Sequence, residues 1–220
     1  VATNFRYPEE SILRRCESFM RDYYRHTRAI HHHTSSLMEI FQIEINENDG
    51  AKGWLKFLPQ PKKKRVELDG FVIRGGRIYP KSSEIFMEDS RRMMRVFQEC
   101  QLRNLTLAPQ TRKLIKASWS LINTEFRNSK ANRETFRAML ERKGSVADIL
   151  RMMHRSGVLG RWMPEFGALD CLVQHEFFHR YTADEHTLRC IEQLDALIED
   201  DSRECEVYRK ILTGLEDPYA

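Results

Sequence analysis

Apolar residues near the start of the chain recur every three to four positions. Leu13, Cys16, Met20, Tyr23, Tyr24, Ile30, Leu37 and Phe41 follow that period, which predicts an amphipathic helix over about residues 8–41. The polar stretch 46–53 breaks it, and the proline-flanked basic run PQPKKKR at 59–65 reads as a loop. The period shortens to two in FVIRGGRIY, residues 71–79, where two short runs flank Gly75 and Gly76. Glycine supplies the positive φ angles of a two-residue turn, so this segment predicts a β-hairpin.

From Ser82 the helical period returns. One helix is expected to about Gln101, with Ile85, Phe86, Met93, Met94 and Phe97 facing inward. A second starts at Pro109, whose absent N–H has no helical partner at a first position, and turns Leu114, Ile115, Trp119 and Ile122 inward. A third covers about 132–143, ended by Gly144. Ser145 should cap the next, with Asp148 three residues on, and Gly157 should close it. VLGRWMPEFG, residues 158–167, reads as a turn-rich linker carrying buried aromatics. Further helices are expected over about 168–180 and 182–199. The fold class is mainly α, a helical bundle with one small β-hairpin.

Composition narrows the picture only modestly. At 220 residues the chain can bury the core of one large domain or two small ones. A net charge of +4 without a concentrated basic face does not point to nucleic acid. No apolar run approaches the roughly 18 residues that span a bilayer. The expectation is therefore no nucleic acid and no membrane among the partners. Cys16, Cys100, Cys171, Cys190 and Cys205 lack C-x-x-C spacing; scattered and odd in number, they imply free thiols and a reducing, cytoplasmic location. The chain opens on Val1 without a signal-peptide pattern and closes on LTGLEDPYA. Both ends read as the interior of a longer protein, so a fragment is expected.

The densest chemistry lies in QHEFFHRYTADEHTL, residues 174–188, with three histidines and three acidic residues. Its first half spells H-E-x-x-H, from His175 through Glu176 to His179. In a helix, residues four apart share a face, so two imidazoles can hold one zinc while the glutamate acts as base on its water. A zincin-like metalloprotease is therefore one reading. The third ligand opposes it. His186 follows His179 by seven residues, about 10 Å along a continuous helix, whereas each ligand atom must lie about 2 Å from the metal. The helix is expected to break instead, because Thr182 to Glu185 reads as a capping box: the Thr hydroxyl takes the N3 amide and Glu185 reaches back. His186 then stands in the first turn of a new helix.

A longer stretch carries a resemblance. Arg151, Met152, Gly157, Val158, Leu159, Gly160, Pro164, Glu165, Phe166 and Gly167 are followed in order by Gln174, His175, Phe178, His179, Tyr181, Thr182, Asp184, Glu185, His186, Thr187 and Leu188. This pattern resembles the start of the HD domain in bacterial PII uridylyltransferase/uridylyl-removing enzymes. Looser likeness runs through 17–30, 67–80 and 134–153. The resemblance implies a helical connector with a β-hairpin near 67–80, over residues 1–157, and the first helices of an incomplete HD domain over 158–220. It further implies a parent that attaches UMP to a tyrosine of a PII-like signalling protein, removes it through a metal-dependent HD phosphodiesterase, and senses glutamine.

In that family a first His, an adjacent His-Asp pair and a final Asp hold the metal. His186 matches the first of these, which makes it the expected metal ligand, with His175 and His179 as supporting residues or alternative ligands. The metal would be Mg, Mn, Fe or Zn in the complete parent. No His-Asp dipeptide occurs in this chain, and the transferase's Gly-Ser signature and paired catalytic aspartates are absent too. The 220 residues alone are therefore expected to hold no metal tightly and to catalyse neither reaction. A non-catalytic regulatory or interaction module with a degenerate HD start is a further alternative. The run His31-His32-His33 cannot chelate together, since neighbours on a helix diverge by about 100°.

Overall fold

A computed structural model of the chain describes residues 4, 5, 7, 12–49, 66–173 and 181–219. They belong to two compact units, one of Val1–Arg65 with Val173–His179, the other of Val66–Leu172 with Arg180–Ala220.

In the first unit, helix α1 spans Ile12–Asp49. It runs past the expected end near residue 41, because propagating an established helix adds a hydrogen bond for each residue fixed, even through polar positions. Near its start Tyr7 Oη donates to Asp22 Oδ2 at 2.8 Å and Arg25 pairs with the same carboxylate. Phe19 stacks on Phe5 and meets Tyr7 edge-on. Further along, Ile30, Leu37 and Phe41 are more than half exposed.

The second unit holds the core. The hairpin is present, with β2 (Phe71–Arg74) antiparallel to β3 (Arg77–Pro80) and Ile73 opposite Ile78. Gly75 and Gly76 both have positive φ, as the two-residue turn requires. Two strands flank it that the sequence pattern does not reveal: β1 (Val66–Leu68), antiparallel to β2, and β4 (Thr106–Leu107), parallel to β3. Three and two residues are too short to display an alternating period.

The helix expected over 82–101 is two, α2 (Ile85–Glu88) and α3 (Arg92–Arg103). Asp89 between them is extended, and its carboxylate accepts hydrogen bonds from the Arg91 backbone and from the Arg91 and Arg95 guanidiniums. A short acid that satisfies backbone groups locally competes with the helix ladder. Helix α4 (Pro109–Ala117) starts at the proline as expected. The buried Thr111 hydroxyl ties it to β3 by donating to the Ile78 carbonyl at 2.6 Å. Then follow α5 (Thr124–Asn128), capped by the Asn123 side chain, α6 (Lys130–Leu140) and α7 (Val146–Arg155).

The turn-rich linker expected at 158–167 is a pair of short helices, α8 (Leu159–Trp162) and α9 (Pro164–Ala168). They meet backbone to backbone: a Cβ on Gly167 would lie 2.5 Å from the Gly160 carbonyl oxygen. Gly157, at positive φ, closes α7, and a Cβ there would lie 2.5 Å from the Trp119 ring. The helix expected over 168–180 is not found across its described part. Helix α9 ends at Ala168, Cys171 takes a positive φ, and residues 169–173 are not helical. Helix α10 (Ala183–Glu199) and α11 (Glu206–Gly214) complete the unit.

The fold is mainly α, as expected. Its core joins Phe71 and Ile78 of the sheet to Phe86, Met93, Phe97, Ile115, Met139, Ile149, Met153 and Leu188. Helix α7 lies centrally, packed against α3, α6 and α10.

Candidate metal-binding site

Helix α10 is held to α7 by ionic contacts as well as apolar ones. Thr182 sits at its N-cap and its carbonyl accepts the His186 amide at 2.8 Å, but its hydroxyl makes no cap hydrogen bond. The expected reciprocal capping box is therefore not formed. Glu185 turns instead to Arg151 on α7, whose Nη1 donates to both Glu185 oxygens at 2.9 and 3.1 Å. Arg151 Nε also donates to Glu192 at 2.7 Å, two turns further along α10. Burial pulls the Arg151 pKa down, but the hydrogen bonds it donates to Glu185 and Glu192 outweigh it and hold the guanidinium above its ordinary value.

A second cross-tie runs between the other ends of the same helices. Ser145 does not cap α7 with its hydroxyl, which donates back to the Arg142 carbonyl. Asp195 of α10 supplies the cap from a distance, accepting the Gly144 amide at 3.0 Å and the Ala147 amide at 2.6 Å. Tyr219 donates its hydroxyl to the same carboxylate.

Successive residues on a helix diverge by about 100°, so the first turn of α10 sends its side chains in different directions. Asp184 points inward and is fully buried. Its Oδ2 lies 3.1 Å from His154 Nε2 on α7, and the His154 ring meets Phe166 of α9 edge-on. Asp170, on the turn after α9, completes a group in which one atom from each of His154, Asp170 and Asp184 lies within 4.8 Å of the others. One nitrogen and two carboxylate oxygens at that spacing make a donor set able to receive a divalent cation.

His186 is not part of this group and is exposed, with Nε2 3.8 Å from Cys190 Sγ one turn on. His175 and His179 lie outside the described residues, and so does the geometry of the H-E-x-x-H stretch. His32 and His33 sit side by side on α1, their ring centres 6.2 Å apart.

The sequence reading missed His154, Asp170 and Asp184 as a group. A signal existed for one of them: His154 lies seven residues after the buried Ala147 and one after the buried Met153, on the inner edge of α7. Asp170 and Asp184 join it only through the chain's path, and no periodicity marks them.

All five cysteines are free, and burial pushes the Cys100 thiol up to about 12, leaving it an inert core residue. Among the described residues no helix is long and apolar enough to cross a membrane.

Residues 71–162, from β2 through α8, match the family described as uridylyltransferase GlnD third domain. A bifunctional uridylyltransferase/uridylyl-removing enzyme of Caulobacter vibrioides is 31% identical over 193 residues, covering 87% of this chain and 20% of that protein. The chain belongs to this enzyme family. Its counterpart in Phenylobacterium zucineum is also 31% identical, over 196 residues, with 87% of this chain and 20% of the relative covered. The counterpart in Cereibacter sphaeroides is 29% identical over 214 residues, 97% of this chain and 22% of the relative. The chain thus spans about a fifth of the length of these uridylyltransferase/uridylyl-removing enzymes. The matched third-domain region contains His154, whereas Asp170, Asp184 and His186 lie beyond it.

Proposed function

We propose that this chain is the connector and the beginning of the HD-type half of a bifunctional uridylyltransferase/uridylyl-removing enzyme. Likeness to curated bifunctional enzymes over 87% of its length carries the reading. In the parent, UMP is attached to and removed from a PII-like signalling protein under the control of glutamine. Removal is hydrolysis of the UMP–tyrosine phosphodiester, with His186 as one ligand of a divalent metal. The exposed position of the His186 imidazole, in the first turn of α10, suits that role. A metal held there would polarise water and offset charge on the phosphoryl group. The chain's own part is mechanical: Arg151, Glu185, Glu192 and Asp195 fix α10 on α7 and so fix the direction in which His186 projects.

The test is the full-length protein containing this chain, assayed in both directions on a PII-like protein. His186→Ala should abolish release of UMP and leave its attachment intact. Wild-type UMP release by that variant would overturn the assignment of His186. A full-length protein with neither activity would favour a regulatory module. Stoichiometric zinc on the 220-residue chain, lost in His175→Ala and His179→Ala, would favour the zincin-like reading.

A further inference from the structure

We propose that His154, Asp170 and Asp184 form a divalent-cation site, separate from His186, which fastens α7, the turn after α9 and the start of α10 to one another. The three donors come from three elements of one compact unit, and their ligand atoms all lie within 4.8 Å of one another. With metal–ligand bonds of about 2.1 Å, adjacent corners of an octahedron are about 3.0 Å apart and opposite corners about 4.2 Å. The 3.1 Å from His154 Nε2 to Asp184 Oδ2 fits an adjacent pair. Asp170 sits on a turn rather than within a helix, which leaves it room to adjust and close the set.

The surroundings suit a cation. Asp184 is completely buried, and a second carboxylate stands close by. A cation between two carboxylates offsets their mutual repulsion where solvent is scarce. His154 is itself nearly covered, while Asp170 keeps partial access to solvent, so a cation can enter with water completing its shell. One imidazole with two carboxylates suits a first-row divalent ion such as Mn²⁺ and gives thiol-seeking metals little advantage. The Phe166 ring against His154 fixes the imidazole plane before any ion arrives. The role is structural, a clamp that sets the start of α10, and it does not depend on the activity proposed for the parent.

The experiment uses the 220-residue chain and Mn²⁺ alone, with free Mn²⁺ followed by electron paramagnetic resonance. One saturable site is expected. At a hundredfold excess over Kd the melting temperature should rise by roughly 5–10 °C. His154→Gln and Asp170→Asn should each weaken binding at least about tenfold. The His186→Ala variant and the His175→Ala/His179→Ala double variant should bind like the parent sequence. Paramagnetic broadening in the amide spectrum of the unaltered chain should centre on residues 154, 170 and 184, a readout that needs no variant to fold. Absence of saturable binding, parental affinity in both His154→Gln and Asp170→Asn, or broadening centred on His186, His175 or residues 31–33 would each overturn the site. Failure here leaves the proposed activity standing, because UMP release is read on His186 in the full-length protein.

Discussion

Helices α1 and α7 are written in the same alphabet and used differently. Both repeat apolar residues at helical spacing. In α7, Val146, Ile149, Leu150 and Met153 are all buried, and α3, α6 and α10 pack around them. In α1, Ile30, Leu37, Phe41 and Ile45 remain largely exposed. Periodicity is a property of one segment, whereas burial belongs to the segments that gather round it. An amphipathic pattern therefore predicts a helix with assurance and its surroundings not at all.

The contrast can be broken or sharpened by measurement, beginning with the core. Phe97→Ala removes a fully buried ring packed in the cluster beneath α7, and should cost about 3–5 kcal/mol of unfolding free energy in urea titration. A loss below about 1 kcal/mol would mean that this cluster is not the centre of stability. Gly157→Ala comes next. It forces a side chain into the left-handed region and against the Trp119 ring, 2.5 Å from the new Cβ. Left-handed strain and overpacking together should cost about 3 kcal/mol in the same assay.

Asp195→Ala should follow at about 1–3 kcal/mol, since it leaves the Gly144 and Ala147 amides without their acceptor. It has a second, independent readout. Burial first, and the hydrogen bond to Asp195 second, push the Tyr219 pKa up to about 12. Absorbance titration should find it falling towards 10 in the variant. The sign for stability follows from the raised value. The folded state favours the protonated phenol, so its contribution is complete below about pH 10 and is lost as pH climbs towards 12. A Tyr219 that titrates identically in Asp195→Ala would sever the link between α10 and the C-terminal segment.

Arg151→Ala removes the bridge to Glu185 and Glu192 and should cost about 1–2 kcal/mol, less at high salt because the carboxylates are partly solvated. Leu37→Ala on the exposed face of α1 should stay within about 0.5 kcal/mol. If it cost as much as Phe97→Ala, α1 and α7 would not differ as their exposures indicate.

Much of the fold could be read from the residues. Gly75-Gly76 between alternating runs gave the hairpin, Pro109 marked the start of α4, and Gly157 marked the end of α7. The misses have two causes, a contact from far along the chain and a local hydrogen bond, neither of which any period records. Asp89 splits a helix because its carboxylate answers Arg91 and Arg95. Glu185 leaves the expected capping box because Arg151 is a stronger partner than a backbone amide. Asp195, 48 residues beyond Ala147, does the capping expected of Ser145. Gly160 and Gly167 convert an expected linker into two touching helices, since only bare backbones can approach so closely.

The candidate sites divide in the same way. His186 stood out in the sequence because its neighbours Thr182, Asp184, Glu185, Thr187 and Leu188 follow a family pattern in order, and linear order is what a sequence records. His154, Asp170 and Asp184 are spread over 31 positions and share no period, so only the path of α7, α9 and α10 assembles them. By itself the sequence determined the helical class, the hairpin, the glycine-marked end of α7 and the family, all of which depend on residues near one another in the chain. Tertiary structure alone decided which apolar faces are covered, which acid caps which helix and which three ligands meet, because each of those is an energy shared between segments that the chain keeps apart.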